Sequence, residues 1–207
     1  MRSPWISMGT FLWRRKRVVI KKLIIFFLFA LLLLAALGAS GAEKQSGKLE
    51  ITGVPADAAT GRYDREAGVF SADVSGIEGA LIRVTFEEVT IVGQIMEWRT
   101  EDDYLIFTSG AELTKEDFTL TADTVEYFGS ENRLQAAGNV VVVTEDATVY
   151  SDQLVYNEET DEAVFTGQVK VAFEDGTLEG ERFVMFLEKN ELQFFGAFQG
   201  LFNTERE

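Results

Sequence analysis

The sequence predicts an all-β fold, an antiparallel meander of hairpin repeats folded on itself, preceded by an N-terminal hydrophobic helix. Three features point there: a repeat of fixed period, an apolar alternation of two inside each repeat, and short polar turns between the alternating runs. Residues 117–145, 146–174 and 175–203 align without a gap at a period of 29. Their shared columns are Leu120/Val149/Leu178, Val125/Leu154/Phe183, Leu134/Ala163/Leu192, Gly138/Gly167/Gly196 and Val140/Val169/Phe198. A period in this range marks a stacked architecture, because each unit is too small to bury its own apolar face.

The alternation makes the units strands. Ala163, Phe165, Gly167, Val169, Val171 and Phe173 alternate with Val164, Thr166, Gln168, Lys170 and Ala172. Successive strand residues point to opposite faces, so the first set builds one wall. Leu134, Val140 and Val142 repeat that wall a unit earlier, and Leu192, Phe194 and Phe198 a unit later. In the first half of the unit, Leu120 and Ala122 are followed by Val125 and Tyr127, so the parity changes between them. One extra residue, a bulge, restores the face. The repeating glycine falls mid-strand, where glycine marks a bend or a close backbone approach.

Polar turns at 129–132, 157–161 and 188–190 separate the halves of each unit, and 144–146 and 174–176 separate the units, the last with an Asp-Gly hairpin signal. Turns this short join antiparallel neighbours, whereas parallel strands need crossovers of a dozen or more residues. A parallel β-helix, which can have a similar repeat length, is the competing architecture.

The chain begins differently. Arg14, Arg15, Lys16, Arg17, Lys21 and Lys22 precede an unbroken apolar run over 23–37, followed by small residues to Ala42. A positive region, an apolar run and a small-residue exit make a secretory signal, with Ala42 as its cleavage point. The run is also about the minimum length that spans a hydrocarbon core of ~30 Å, so residues 18–39 are equally a candidate inner-membrane anchor. In either case the basic end stays cytoplasmic and the chain beyond residue 42 is exported. The expected organisation is a signal or anchor over 1–42, a linker over 43–61, one β-domain over 62–203 and a tail at 204–207. Within that domain, 62–113 is strand-like but less regular. Residues 63–70 read as a hairpin, and 93–98 with 104–107 as a degenerate fourth unit roughly in register with 122–127.

Composition narrows the function. The first 42 residues take seven of the 19 basic residues and none of the 34 acidic ones, which leaves 12 cations against 34 anions and a formal charge of −22 for the rest. Nucleic-acid binding needs a basic footprint and is excluded as a partner class. The plainer meaning of the charge is a well-solvated surface that keeps a sheet protein soluble. Cysteine and histidine are absent, which removes disulfides, thiol nucleophiles, the Ser-His-Asp arrangement and most zinc or iron sites. No catalytic residue, metal site or cofactor is expected. The strongest enzymatic alternative is hydrolysis of a polysaccharide by carboxylate pairs such as Glu158/Glu159 or Glu145/Asp146. These sit in predicted turns, without the apolar pocket that would raise one pKa.

The units resemble the periplasmic lipopolysaccharide-transport family, the LptA/OstA domain also found in LptC and at the start of LptD. The residues that carry the resemblance are 120–123 (Leu-Thr-Ala-Asp), Tyr127, 134–142 (Leu-Gln-Ala-Ala-Gly-Asn-Val-Val-Val), 149–156 and 163–171. In the third unit Gly180-Glu181 replaces Ala-Asp and Ala197-Phe198 replaces Asn-Val. The resemblance implies a V-shaped antiparallel β-jellyroll, open at both ends, whose apolar interior holds acyl chains. It also implies stacking of such domains into a bridge between the membranes. The implied partners are lipopolysaccharide or a similar amphiphile, other bridge components paired by edge strands, and the inner membrane if the N-terminal segment is retained.

On that resemblance the groove is formed by Leu120, Val125, Tyr127, Leu134, Val140, Val142 and Val149, continued by Leu154, Tyr156, Phe165, Val169, Val171 and Phe173. Each is also ordinary core by position. A buried methylene contributes ~0.8 kcal/mol, so sheltering a chain of about 12 carbons offsets ~10 kcal/mol of exposure. Repulsion of a phosphate by screened surface charges, about 0–1 kcal/mol per pair, is the smaller effect. Recognition by acyl chains and shape is therefore expected, without a basic clamp. Phe194, Phe198 and Phe202 fall in an uncharged C-terminal run. As an edge strand such a run invites pairing with a partner; the alternative is that it folds inward as core. Asp123 and Asp152 are expected to satisfy the bulge.

Overall fold

Each alternating run becomes a strand and each polar turn a hairpin. The computed structural model of the chain describes residues 49–57, 61–86, 89–115, 118–157, 159–186 and 191–203. Strands β1 (Leu49–Val54), β2 (Gly61–Asp64), β3 (Val69–Asp73), β4 (Leu81–Phe86), β5 (Val89–Arg99) and β6 (Tyr104–Lys115) come first. β7 (Phe118–Ala122) and β8 (Thr124–Phe128) are one strand interrupted at Asp123. β9 (Arg133–Val143), β10 (Ala147–Asn157), β11 (Glu162–Phe173), β12 (Gly176–Phe186) and β13 (Glu191–Phe202) complete the order. The one helical turn among the described residues is the 3-10 turn Gly129–Glu131, at the turn expected there.

All the strands belong to one sheet, in the order β1-β4-β5-β6-β7-β9-β10-β11-β12-β13, with β8 beside β6 and β9 and β2–β3 on the outer half of β5. Every pairing is antiparallel, from β1–β4 to β12–β13, which rules out the β-helix. The hairpin expected over 63–70 forms, with Tyr63 opposite Phe70. The linker expected over 43–61 needs correction. Leu49–Val54 pair β4 along its full length, from Leu49 opposite Phe86 to Val54 opposite Leu81. Leu49 and Ile51 pack on the core; in the sequence this short alternation is hidden among glycines and alanines. The hydrophobic helix, its exit at Ala42, the candidate anchor over 18–39 and the tail at 204–207 lie outside the described residues.

The parity change within each unit is a wide bulge at mid-strand. The register breaks between Gly93 and Ile95 on β5, between Ser151 and Gln153 on β10, and between Gly180 and Arg182 on β12. At each break a single residue faces two on its neighbour. Gln94, Asp123, Asp152 and Glu181, each 29 apart, face Ser109-Gly110, Gly138-Asn139, Gly167-Gln168 and Gly196-Ala197. Three of the bulged pairs are left-handed at both residues: Ser109 has φ 64° and Gly110 φ 89°, Gly138 and Gly167 φ 77°, Asn139 φ 49° and Gln168 φ 45°; in the fourth only Gly196, at φ 86°, is left-handed. The Gln94 break and the Ser109-Gly110 pair establish the fourth unit that the sequence shows only faintly.

These bulges are the line along which the sheet folds. The inner wall is almost wholly buried, including Phe107, Leu120, Val125, Val140, Leu154, Val169 and Phe183. With one sheet and no α-helix among the described residues, the cover comes from the other half of the same sheet. On the inner side of the fold line the residues are small: Gly93, Ala122, Ser151 and Gly180, again 29 apart. The two halves leave no space for more. A Cβ on Gly180 would stand 2.7 Å from the Phe183 ring and 3.1 Å from the Ala197 carbonyl oxygen. The buried Ser151 hydroxyl donates to the Gln153 carbonyl at 3.1 Å, so no unsatisfied polar group is left at the apex.

Candidate functional site

The inner wall is the candidate site. Inward parity runs through Met96 and Trp98 on β5, Leu105 and Phe107 on β6, and the aligned residues of every later unit. All thirteen residues expected in a groove lie on this face. Leu120, Val125, Val140, Val142, Val149, Leu154, Tyr156, Phe165, Val169 and Val171 are buried, while Tyr127, Leu134 and Phe173 are half-buried against them. The two lips of the folded sheet are the rows of strand ends. One lip carries Val89, Lys115, Ala147 and Phe173; the other carries Trp98, Tyr127, Tyr156, Met185 and Leu192. Half-buried apolar side chains are gathered at these lips, and the centre between them is closely packed.

Cover fails at the C-terminal edge. In one column Val140 and Val169 are each 1 % exposed, yet Phe198 is 62 % exposed. Among the described residues β13 pairs only with β12. Of the three residues expected at a partner edge, Phe194 packs inward, its ring edge-on to Phe183 with centroids 4.7 Å apart. Phe198 stacks on Phe194 at 5.2 Å, and Phe202 on Phe173 at 6.5 Å, but both keep an open face. The run is therefore partly core and partly edge. Along β13 the one charge is Glu191. The opposite edge is made of β1 and β2; β2 is four residues long and carries Arg62 and Asp64, a combination that discourages pairing.

Asp123 does satisfy its bulge. Asp123 Oδ2 accepts from Asn139 Nδ2 at 2.9 Å, the Asp123 N–H donates to the Gly138 carbonyl at 2.8 Å, and its carbonyl accepts from the Gly110 N–H at 3.0 Å. The carboxylate of Asp152 lies where a Cβ on Gly167 would be. Glu145 and Asp146 sit in the turn before β10 and Glu159 in the turn after it, at opposite ends of that strand and not in one cleft. Among the described residues no group of three or more acidic side chains is arranged to hold a metal.

Sequence reasoning missed a second concavity, on the outer face. A groove of about 570 Å³ is lined by Arg62, Ser71, Asp73, Ile95, Glu97, Arg99, Tyr104, Ile106 and Thr108. Arg99 donates to Glu97 at 2.7 Å and lies over the Tyr104 ring at 4.6 Å. The Tyr104 hydroxyl donates to Glu126 Oε1 at 2.6 Å. Burial, with the adjoining Glu126 carboxylate, pushes the Tyr104 phenol from 10.0 up to about 12. The protonated phenol is thus the form the fold favours. Its contribution to stability is full below pH 10 and is lost as pH rises through about 12. Tyr104→Phe is expected to remove one tyrosine from the ultraviolet titration at about pH 12 and to flatten the loss of stability across that window. A phenol that titrates with the exposed tyrosines would refute this.

A fold of stacked hairpins bent on left-handed bulges, with one apolar face running through every unit, can now be compared with known proteins. The family model for the LptA/LptD N-terminal domain, a lipopolysaccharide-transport protein, matches residues 90–191. Residues 90–191 are similar to that domain. The match starts at β5 and ends at the start of β13, so it takes in three bulged units and the first strand of the fourth. Among solved structures, the LptA-homologous periplasmic component LptH of the lipopolysaccharide transport device of Pseudomonas aeruginosa matches with a TM-score of 0.52 at 16% identity, covering 56% of this chain and 94% of that chain. At that identity the likeness concerns the fold, and the LptA-like β-jellyroll is the fold found here. No curated protein matches the chain by sequence.

Proposed function

We propose that this LptA-like domain is a non-enzymatic component of lipopolysaccharide transport to the outer membrane, holding acyl chains against its inner wall in the periplasm. The observation that carries the reading is the single apolar face that passes through all four units and is left without cover at β13. An exposed apolar face of this extent is costly in water unless a ligand or partner covers it. The packed centre admits a chain only if the two lips part, so acyl chains are expected to engage first at the C-terminal unit, against Leu192, Phe194 and Phe198. The groove then continues through Phe173, Val171 and Val142. The open edge of β13 accepts a further bridge component by strand addition.

Photocrosslinking in cells tests this. With a photoreactive residue at Phe198, labelled lipopolysaccharide adducts are expected in good yield; at Val142 in lower yield; at Lys170, on the outer face, none. Equal labelling at Lys170 and Phe198, or none at any position, would remove the carrier reading and leave a self-assembling β-protein without ligand. The apolar run of the first 42 residues favours a second form of the same reading, an LptC-like component anchored in the inner membrane by residues 18–39. Mass spectrometry of the mature N-terminus separates the two: a start at Glu43 supports a free LptA-like bridge, and an intact start supports the anchored form.

A further inference from the structure

The inner wall carries one charged residue that acyl-chain binding alone does not use. Lys115 is the last residue of β6, on the same parity as the buried Ala111 and Leu113, and it is only 8 % exposed. Every other lysine or arginine on a described strand falls on the outer parity: Arg62, Arg83, Arg99, Arg133, Lys170 and Arg182 alternate with inward neighbours such as Ile82, Trp98, Leu134 and Phe183. The strand carboxylates, Glu97, Glu112, Glu126 and Glu179 among them, are outward too. Lys115 is thus the one charged side chain that strand register directs to the inner wall among the described residues. The register 90 to 114 on β5–β6 places it beside Val89 at one lip, and the 29-residue column continues from it to Phe173.

We propose that Lys115 reads the head group: the groove takes amphiphiles with an anionic head, and holds them with that head at the lip formed by Val89, Lys115, Ala147 and Phe173. The proposal rests on the acyl-chain groove and deepens it. Burying an ammonium on an apolar wall is unfavourable unless it is partnered, and Lys115 is engaged within the protein. An ammonium offers three donors. A phosphate or carboxylate at the lip would add to that internal partner in a place partly shielded from water, where a charge-assisted hydrogen bond is stronger than on the open surface. At the other lip, Trp98, Tyr127, Tyr156 and Met185 offer no cation. The asymmetry orients a chain whose apolar tail fits either way.

The test holds the tail constant and varies the head. Dodecyl phosphate, dodecyl maltoside and dodecyltrimethylammonium are titrated into the full chain below their micelle concentrations, for the native protein and for Lys115→Met and Lys115→Arg. The native chain is expected to bind dodecyl phosphate roughly tenfold more tightly than the maltoside, the scale of one charge-assisted contact, and the ammonium most weakly. Lys115→Met is expected to bring phosphate and maltoside to equal affinity without weakening the maltoside, and Lys115→Arg to keep the preference. Because the readout is a ratio between heads on one folded variant, a general loss of stability does not imitate it. Equal binding of all heads by the native chain, or an unchanged ratio in Lys115→Met, overturns the role of Lys115 and leaves the groove standing. No binding of any dodecyl probe overturns the groove and this inference with it.

Discussion

Gly167→Val is expected to lower the free energy of unfolding by about 3–4 kcal/mol, the upper part of the range for single substitutions. Two independent costs combine. Gly167 has φ 77°, where a β-branched residue is a conformational outlier worth roughly 1–3 kcal/mol of strain. The new Cβ also meets the Asp152 carboxylate on the neighbouring strand. The second cost is removable, which makes the argument testable in parts. In an Asp152→Gly background, which removes every side-chain atom of Asp152 that the new Cβ meets, the cost of Gly167→Val is expected to fall by about half, because only the backbone strain remains. Urea denaturation of the four proteins measures this. If Gly167→Val unfolds within about 0.5 kcal/mol of the parent, the range of an ordinary surface change, then the bulge is not the fixed fold line it is taken for. The same substitution at the outward Thr166, at extended backbone, is expected to be nearly neutral.

The repeat columns made this much legible from the sequence. Period-two alternation placed the inward residues, and the shift between Ala122 and Val125 located the bulge that the register now assigns to Asp123. Glycine at 138, 167 and 196 pointed to a bend without giving its geometry, since the left-handed pair includes Asn139 and Gln168, which are ordinary strand residues in the pattern. The fourth unit was faint because its bulge reads Ser109-Gly110, which shifts the glycine by one position against the column. The fold-line column was missed altogether. Gly93, Ala122, Ser151 and Gly180 share only smallness, a property that alternation scores as neutral and that becomes visible once two half-sheets must meet there. Lys115 stands one step beyond the alternation that the sequence shows as far as Leu113, and it keeps that parity: the two-residue bulge at Ser109-Gly110 leaves 105, 107, 111, 113 and 115 all on the inward side of β6. Long-range closure, unlike alternation, leaves no local trace.

An aspartate placed at two positions of one column is expected to have opposite consequences. Val169→Asp should prevent stable folding: Val169 is 1 % exposed on the wall between β10 and β12, and an unpaired carboxylate there costs several kcal/mol against a total stability of about 5–15. Phe198→Asp should leave the isolated chain within about 1 kcal/mol of the parent, because the ring is 62 % exposed and loses little beyond its stacking on Phe194. What Phe198→Asp should abolish is association through the β13 edge, since a charge on a strand edge is the device natural sheets use against pairing. Sedimentation across a concentration series reads the association, and urea unfolding reads the stability. The two measurements are linked by mass action: if a second copy or another bridge component covers β13 in solution, the stability of the native chain rises with protein or partner concentration, while that of Phe198→Asp does not. Should Phe198→Asp unfold as readily as Val169→Asp at high dilution, β13 would be interior in the single chain, the groove would be closed at its C-terminal end, and acyl chains would have to enter between the lips alone.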